Sequence, residues 1–113
     1  RRRMRVRGER LAPWRQRRVI DLVRARLADL TLAELAAACG LSTSHFARQF
    51  KATFGTSPHR LLIEQRIERA KQLLATDMAL IEIATTVGFS DQTAFTRSFS
   101  NLVGTSPGRW RSR

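Results

Sequence analysis

Apolar residues recur along this chain at the three- and four-residue spacing of helices buried on one side. Val19, Ile20, Val23, Leu27 and Leu30 make the first stripe, behind Pro13, a residue suited to a first helical position. Leu32, Leu35, Ala36 and Cys39 make the second, at i, i+3, i+4 and i+7. In front of it Thr31 and Glu34 form a T-x-x-E capping box: the threonine hydroxyl accepts a free amide and the glutamate reaches back. Gly40 follows, where the chain must turn sharply and a residue without Cβ tolerates positive φ. Ser42 is placed to cap a third helix, whose Phe46 and Phe50 lie one turn apart and face inward. A longer helix is expected from Pro58 to about residue 75, with Ile63, Ile67, Ala70 and Leu74 as its apolar stripe.

The pattern then returns. Leu32, Glu34, Ala36, Gly40 and Ser42 match Leu80, Glu82, Ala84, Gly88 and Ser90. After one inserted residue, Phe46, Arg48, Phe50, Gly55, Thr56, Ser57, Pro58 and Arg60 match Phe95, Arg97, Phe99, Gly104, Thr105, Ser106, Pro107 and Arg109. Ile83 and Val87 complete the second apolar stripe, and Ser90 is placed to cap as Ser42 does. Each Gly-Thr-Ser-Pro run ends one helix and opens another: glycine suits a helix C-terminus, serine a cap and proline a first turn. Trp110 is expected to pin the short last helix to the core. The fold class is therefore all-α, about seven helices, with two helix-turn-helix subdomains joined by a long central helix. The expected segments are a basic, flexible 1–12, a first subdomain 13–57, a linker helix 58–75 and a second subdomain 76–113.

A duplicated helix-turn-helix is the unit that places a helix in a DNA groove. Rotating by 100° per residue puts Ser44, Ala47, Arg48 and Lys51 together, away from Phe46 and Phe50. Thr93, Thr96, Arg97 and Ser100 take the matching face of the second copy, with Gln92 at the helix entrance. Neither face holds an acidic residue, while Asp91 offers the second helix N-terminus a favourable charge. An ordinary solvated face is the bland alternative, but arginine at the same place in both copies favours groove contact. Arginine pairs with guanine, glutamine with adenine, and a threonine methyl touches that of thymine. The central helix, at 1.5 Å per residue, spans ~27 Å, near the ~34 Å of one duplex turn.

Charge agrees only in part. The chain of 113 residues carries a net +12, which suits a polyanionic partner. Eleven arginines against Glu9 and Asp21 place +9 of it in residues 1–26, so the duplicated part alone would not look basic. A solvated tail that adds salt-dependent affinity is the expected role of that start. Cys39 is the only cysteine, so no intrachain disulfide can form and an intracellular, cytoplasmic setting is favoured. It stands where the second copy has Val87 and reads as a small buried hydrophobe. His45 and His59 have no zinc spacing, and neither a cofactor nor a membrane span is expected. Glu64, Arg66, Glu68, Arg69 and Lys71 read as the solvated face of the central helix. The chain begins with Arg1 and is read as a piece of a longer protein.

The run Ile83-Ala84-Thr85-Thr86-Val87-Gly88-Phe89-Ser90-Asp91-Gln92, with Phe95-Thr96-Arg97-Ser98-Phe99, Gly104-Thr105-Ser106-Pro107 and Arg109, resembles the DNA-binding domain of the arabinose-regulator (AraC/XylS) family of bacterial transcription factors. The resemblance covers nearly all of residues 13–111. It implies base reading by Ser44, Ala47 and Arg48 in the first copy and by Gln92, Thr93, Thr96 and Arg97 in the second. Phosphate contacts are expected from Lys51, Arg60, His45, Ser100 and the helix N-termini. It also implies double-stranded promoter DNA and RNA polymerase as partners, nucleoid association when bound, no catalysis, and a separate effector-sensing or dimerising domain that this chain lacks. The chain itself is expected to be monomeric. A sequence-blind chromosome-organising protein is the second reading, and an alkyl-transfer repair enzyme, which needs a reactive cysteine, is the third.

Overall fold

Among the residues that the computed structural model describes, 9–113, there are seven helices and no strand. They are α1 Pro13–Arg26, α2 Leu32–Ala38, α3 Thr43–Phe54, α4 Pro58–Leu74, α5 Leu80–Val87, α6 Gln92–Val103 and α7 Pro107–Ser112. Most of the expected loose segment 1–12 lies outside the described residues. The chain divides into two compact units, one ending at Leu62 and the other running from Ile63, with Leu27–Asp29 counted in the second. The division thus falls inside α4, whereas the sequence suggested boundaries at its two ends.

In the first unit α2 packs on both α1 and α3. Val19, Val23, Leu30, Leu35, Ala36, Cys39, Phe46, Phe50 and Leu62 are buried, and each large apolar side chain so removed from water contributes about 1.5–3 kcal/mol. The Phe46 and Phe50 rings meet at 5.6 Å, and Phe50 meets Phe54 at 4.6 Å. Ile20 departs from the expected stripe and is 42% exposed. One residue round from the Val19–Val23 row is a 100° rotation, enough to turn it outward.

The described end of the 1–12 segment is also not loose. Leu11 is buried, its amide donates to Thr53 Oγ1 at 2.8 Å and its carbonyl accepts from Gln16 Nε2 at 2.8 Å. The Thr53 hydroxyl in turn donates to the Gln49 carbonyl. Both backbone groups of Leu11 are thereby satisfied by side chains, which a buried backbone requires.

The second unit is built round Ile67, Ala70, Leu74, Ile83, Ala84, Val87, Phe89, Phe95 and Phe99. Its rings run in series: Phe89 to Phe95 at 5.6 Å, Phe95 to Phe99 at 5.8 Å, and Phe99 edge-on to Trp110 at 6.0 Å. Trp110 does pin α7, and Arg111 adds bonds from its guanidinium to the Leu74 and Met78 carbonyls at 3.2 and 2.6 Å. Arg66 corrects the solvated-face reading. It is half-buried, its Nε donates to the Leu27 carbonyl at 3.0 Å, and burial lowers its pKa against the opposing pull of Asp29.

Candidate nucleic-acid interface

The two candidate reading helices, α3 and α6, are each twelve residues long and end on a left-handed glycine, Gly55 and Gly104. Each is preceded by a short helix and a tight turn on a positive-φ glycine, Gly40 or Gly88. Upstream, the Thr31 box closes as expected: Thr31 Oγ1 accepts the Glu34 amide at 3.1 Å, and Glu34 accepts the Thr31 amide at 3.0 Å. That amide first, then Arg26 at 3.0 Å, holds the Glu34 carboxyl below its ordinary pKa. The second copy keeps only half of this box. Glu82 accepts the Ala79 amide at 3.4 Å, and alanine offers no hydroxyl in return.

Ser42 caps α3 by accepting the His45 amide at 3.2 Å. Its counterpart Ser90 does not cap α6. Asp91 does so instead, accepting the Ala94 amide at 2.8 Å. The inserted residue moves the cap by one place, and Asp91 then also puts a carboxylate against the positive end of the helix.

These caps and phenylalanine pairs set which side of each helix is left outward. In α6, Gln92, Thr93 and Arg97 are exposed and Thr96 is half-buried, and the four line one shallow, open depression that includes no acidic side chain. Ser100, one turn beyond Thr96, is half-buried. In α3, Ser44, Arg48 and Lys51 are exposed and Ala47 is half-buried. Ala47, Arg48 and Lys51 line a second depression, together with Gln49, Ala52 and Ser57, and Ser44 stands outside it. Arg48 and Arg97 have no hydrogen-bond or ion-pair partner among the described residues, so both guanidiniums are available to a ligand.

Two neighbours of the first face, Glu9 and Gln49, were not visible in residue spacing. Glu9 lines the α3 depression, so that face is not free of acid as its own helix suggested. Its Oε1 lies 3.8 Å from His45 Nε2. His45 is half-buried, and the Gln49 amide nitrogen is 3.1 Å from the same ring nitrogen. Gln49 is itself only 5% exposed, and its Oε1 lacks a hydrogen-bond partner among the described residues. Arg60 and His59 are exposed at the start of α4, where Ser57 accepts the Arg60 amide at 3.1 Å.

Cys39 is fully buried. Burial raises its thiol pKa, opposed by the charges of Arg15 and Arg18. Arg15 Nε donates to the Cys39 carbonyl at 2.7 Å, closing the C-terminal end of α2. No helix among the described residues is long and apolar enough to cross a membrane.

Comparison with known proteins agrees with this duplicated arrangement. The helix-turn-helix domain family matches the chain twice, over residues 1–60 and 35–113. A putative AraC-like transcription regulator of Streptomyces antibioticus is 40% identical over 82 residues, covering 72% of this chain and 27% of that protein. The chain belongs to the AraC-type helix-turn-helix family. Among solved structures, the C-terminal domain of AraT, a response regulator from Geobacillus stearothermophilus, superposes with a TM-score of 0.80 at 32% identity. It covers 92% of this chain and 88% of that one. The DNA-binding domain of AdpA, a global transcriptional factor, solved in complex with a target DNA, gives a TM-score of 0.78 at 28% identity, covering 85% of this chain and 88% of that one. Curated relatives are transcription regulators, and the chain spans about a quarter to a third of their length.

Proposed function

We propose that this domain binds double-stranded DNA sequence-specifically through two heads, α3 and α6, each laid in a major groove, and thereby regulates transcription. The observation that carries the reading is the α6 depression: Gln92, Thr93, Thr96 and Arg97 converge on one open, acid-free surface. Their chemistry covers guanine, adenine and the thymine methyl. The first head is poorer. Of its base-reading positions Ser44 and Ala47 are short and Arg48 alone carries a long donor, so the second head contributes more sequence information.

Lys51, Arg60, His45, Ser100 and the N-termini of the capped helices contact phosphates and set register. The +9 charge of residues 1–26 adds affinity that falls with salt. The domain acts as a monomer, since the duplication supplies the two heads that single-headed proteins obtain by dimerising. RNA polymerase is its protein partner at a promoter. Effector sensing belongs to a separate domain, which brings two such units to adjacent sites.

Selection of bound duplexes from a random pool, followed by competition against random DNA at fixed salt, tests this. A selected duplex is expected to win by at least about a thousandfold. Equal competition by random DNA would establish the sequence-blind reading instead.

A further inference from the structure

The two heads differ in one charge that neither recognition helix carries. The α6 depression has no acid, whereas the α3 depression includes Glu9, brought there from the segment before α1. Its place is built. Two residues on, Leu11 is buried, with its amide held by Thr53 of α3 and its carbonyl by Gln16 of α1. The Glu9 side chain remains 54% exposed, and the described residues give it no Lys or Arg ion pair. Among the described residues its one ion-pair partner is His45, at 3.8 Å, on the first turn of α3.

We propose that Glu9 is a specificity-determining residue of the first head, a fixed negative charge that disfavours sequence-blind phosphate binding at Arg48 and Lys51. The inference rests on the two-headed DNA reading above. A duplex held without base readout is held by its phosphates alone, and a phosphate drawn to Arg48 inside this depression comes beside the Glu9 carboxylate. When Arg48 instead extends to a base edge, its bidentate bonds are kept and the phosphates stay further from the carboxylate. Repulsion therefore falls more heavily on the wrong complexes than on the right one, and the ratio between them widens.

The test measures affinity of wild type and Glu9→Gln for a duplex selected from a random pool and for a random-sequence duplex. In about 0.1 M salt, Glu9→Gln should tighten binding to the random duplex by about threefold to tenfold and to the selected duplex by clearly less, and the gain should fade in about 0.5 M salt. Asp21→Asn, an equal change of net charge on α1 outside the depression, should move both affinities by less than about twofold. Unchanged thermal melting of both variants establishes that each is folded. The proposal is overturned if Glu9→Gln leaves random-duplex binding unaltered, weakens it, or tightens both duplexes equally, or if Asp21→Asn gives the same gain. Wild type that selects no duplex at all would count against the DNA reading itself.

Discussion

Gly88 passes so close to the backbone of Ala28 that a Cβ on it would stand 2.6 Å from the Ala28 carbonyl oxygen. The same Cβ would lie 2.8 Å from Arg66 Nε, the atom that holds the Leu27 carbonyl. Gly40, its partner in the duplication, has φ +71° but nothing within 4 Å of the same position. Only left-handed strain applies there, about 1–2 kcal/mol. Gly88→Ala adds a clash with backbone that cannot rotate away. Gly40→Ala should therefore cost about 1–2 kcal/mol and Gly88→Ala about 3 kcal/mol or more, measured by urea unfolding. Equal losses would show that the Ala28 approach carries no energy.

The Glu34 carboxyl, held below its ordinary pKa by the Thr31 amide and then by Arg26, has a definite acid signature. A depressed folded pKa means stability that is present above the unfolded carboxylate value and lost as pH falls through the folded one. Wild type should be more stable than Glu34→Gln at neutral pH, and the gap should close as pH drops below about 4. Thermal melting of both proteins across that range checks it.

Cys39 is fully buried and its thiol is shifted away from the reactive thiolate. A maleimide should leave native protein largely unlabelled and modify it fully in denaturant. Rapid labelling of folded protein would revive the alkyl-transfer reading.

Arg48 and Arg97 are expected to read bases and not merely to add charge. Alanine at either should cost about 1–3 kcal/mol of binding and relax preference at one G·C pair, as read by repeating the selection with each variant. A uniform loss over all sequences, with the selected motif intact, would move that arginine to the phosphates.

Much of this architecture is legible in the sequence because duplication makes each copy a check on the other. Phe46 with Phe95, Phe50 with Phe99 and Gly55 with Gly104 fall in matching places, and local rules of capping and spacing suffice to find them. Alignment misleads at Ser90, where one inserted residue hands the cap to Asp91. What spacing does not show are partners distant in the chain. Leu11 meets Thr53 and Arg66 meets Leu27, 42 and 39 residues away. An arginine on a polar helix face looks the same whether it meets water or a distant carbonyl. Glu9 likewise reads as a stray acid in a basic run until Leu11 is seen to be buried.

One chain is proposed to read DNA with two heads. Hydroxyl-radical footprinting of this domain on a single selected duplex tests it most directly. Two protected patches centred about 10 base pairs apart on one face of the duplex are expected, with Arg97→Ala weakening protection chiefly in one and Arg48→Ala in the other. A single continuous patch of about five or six base pairs, the reach of one recognition helix, would contradict it.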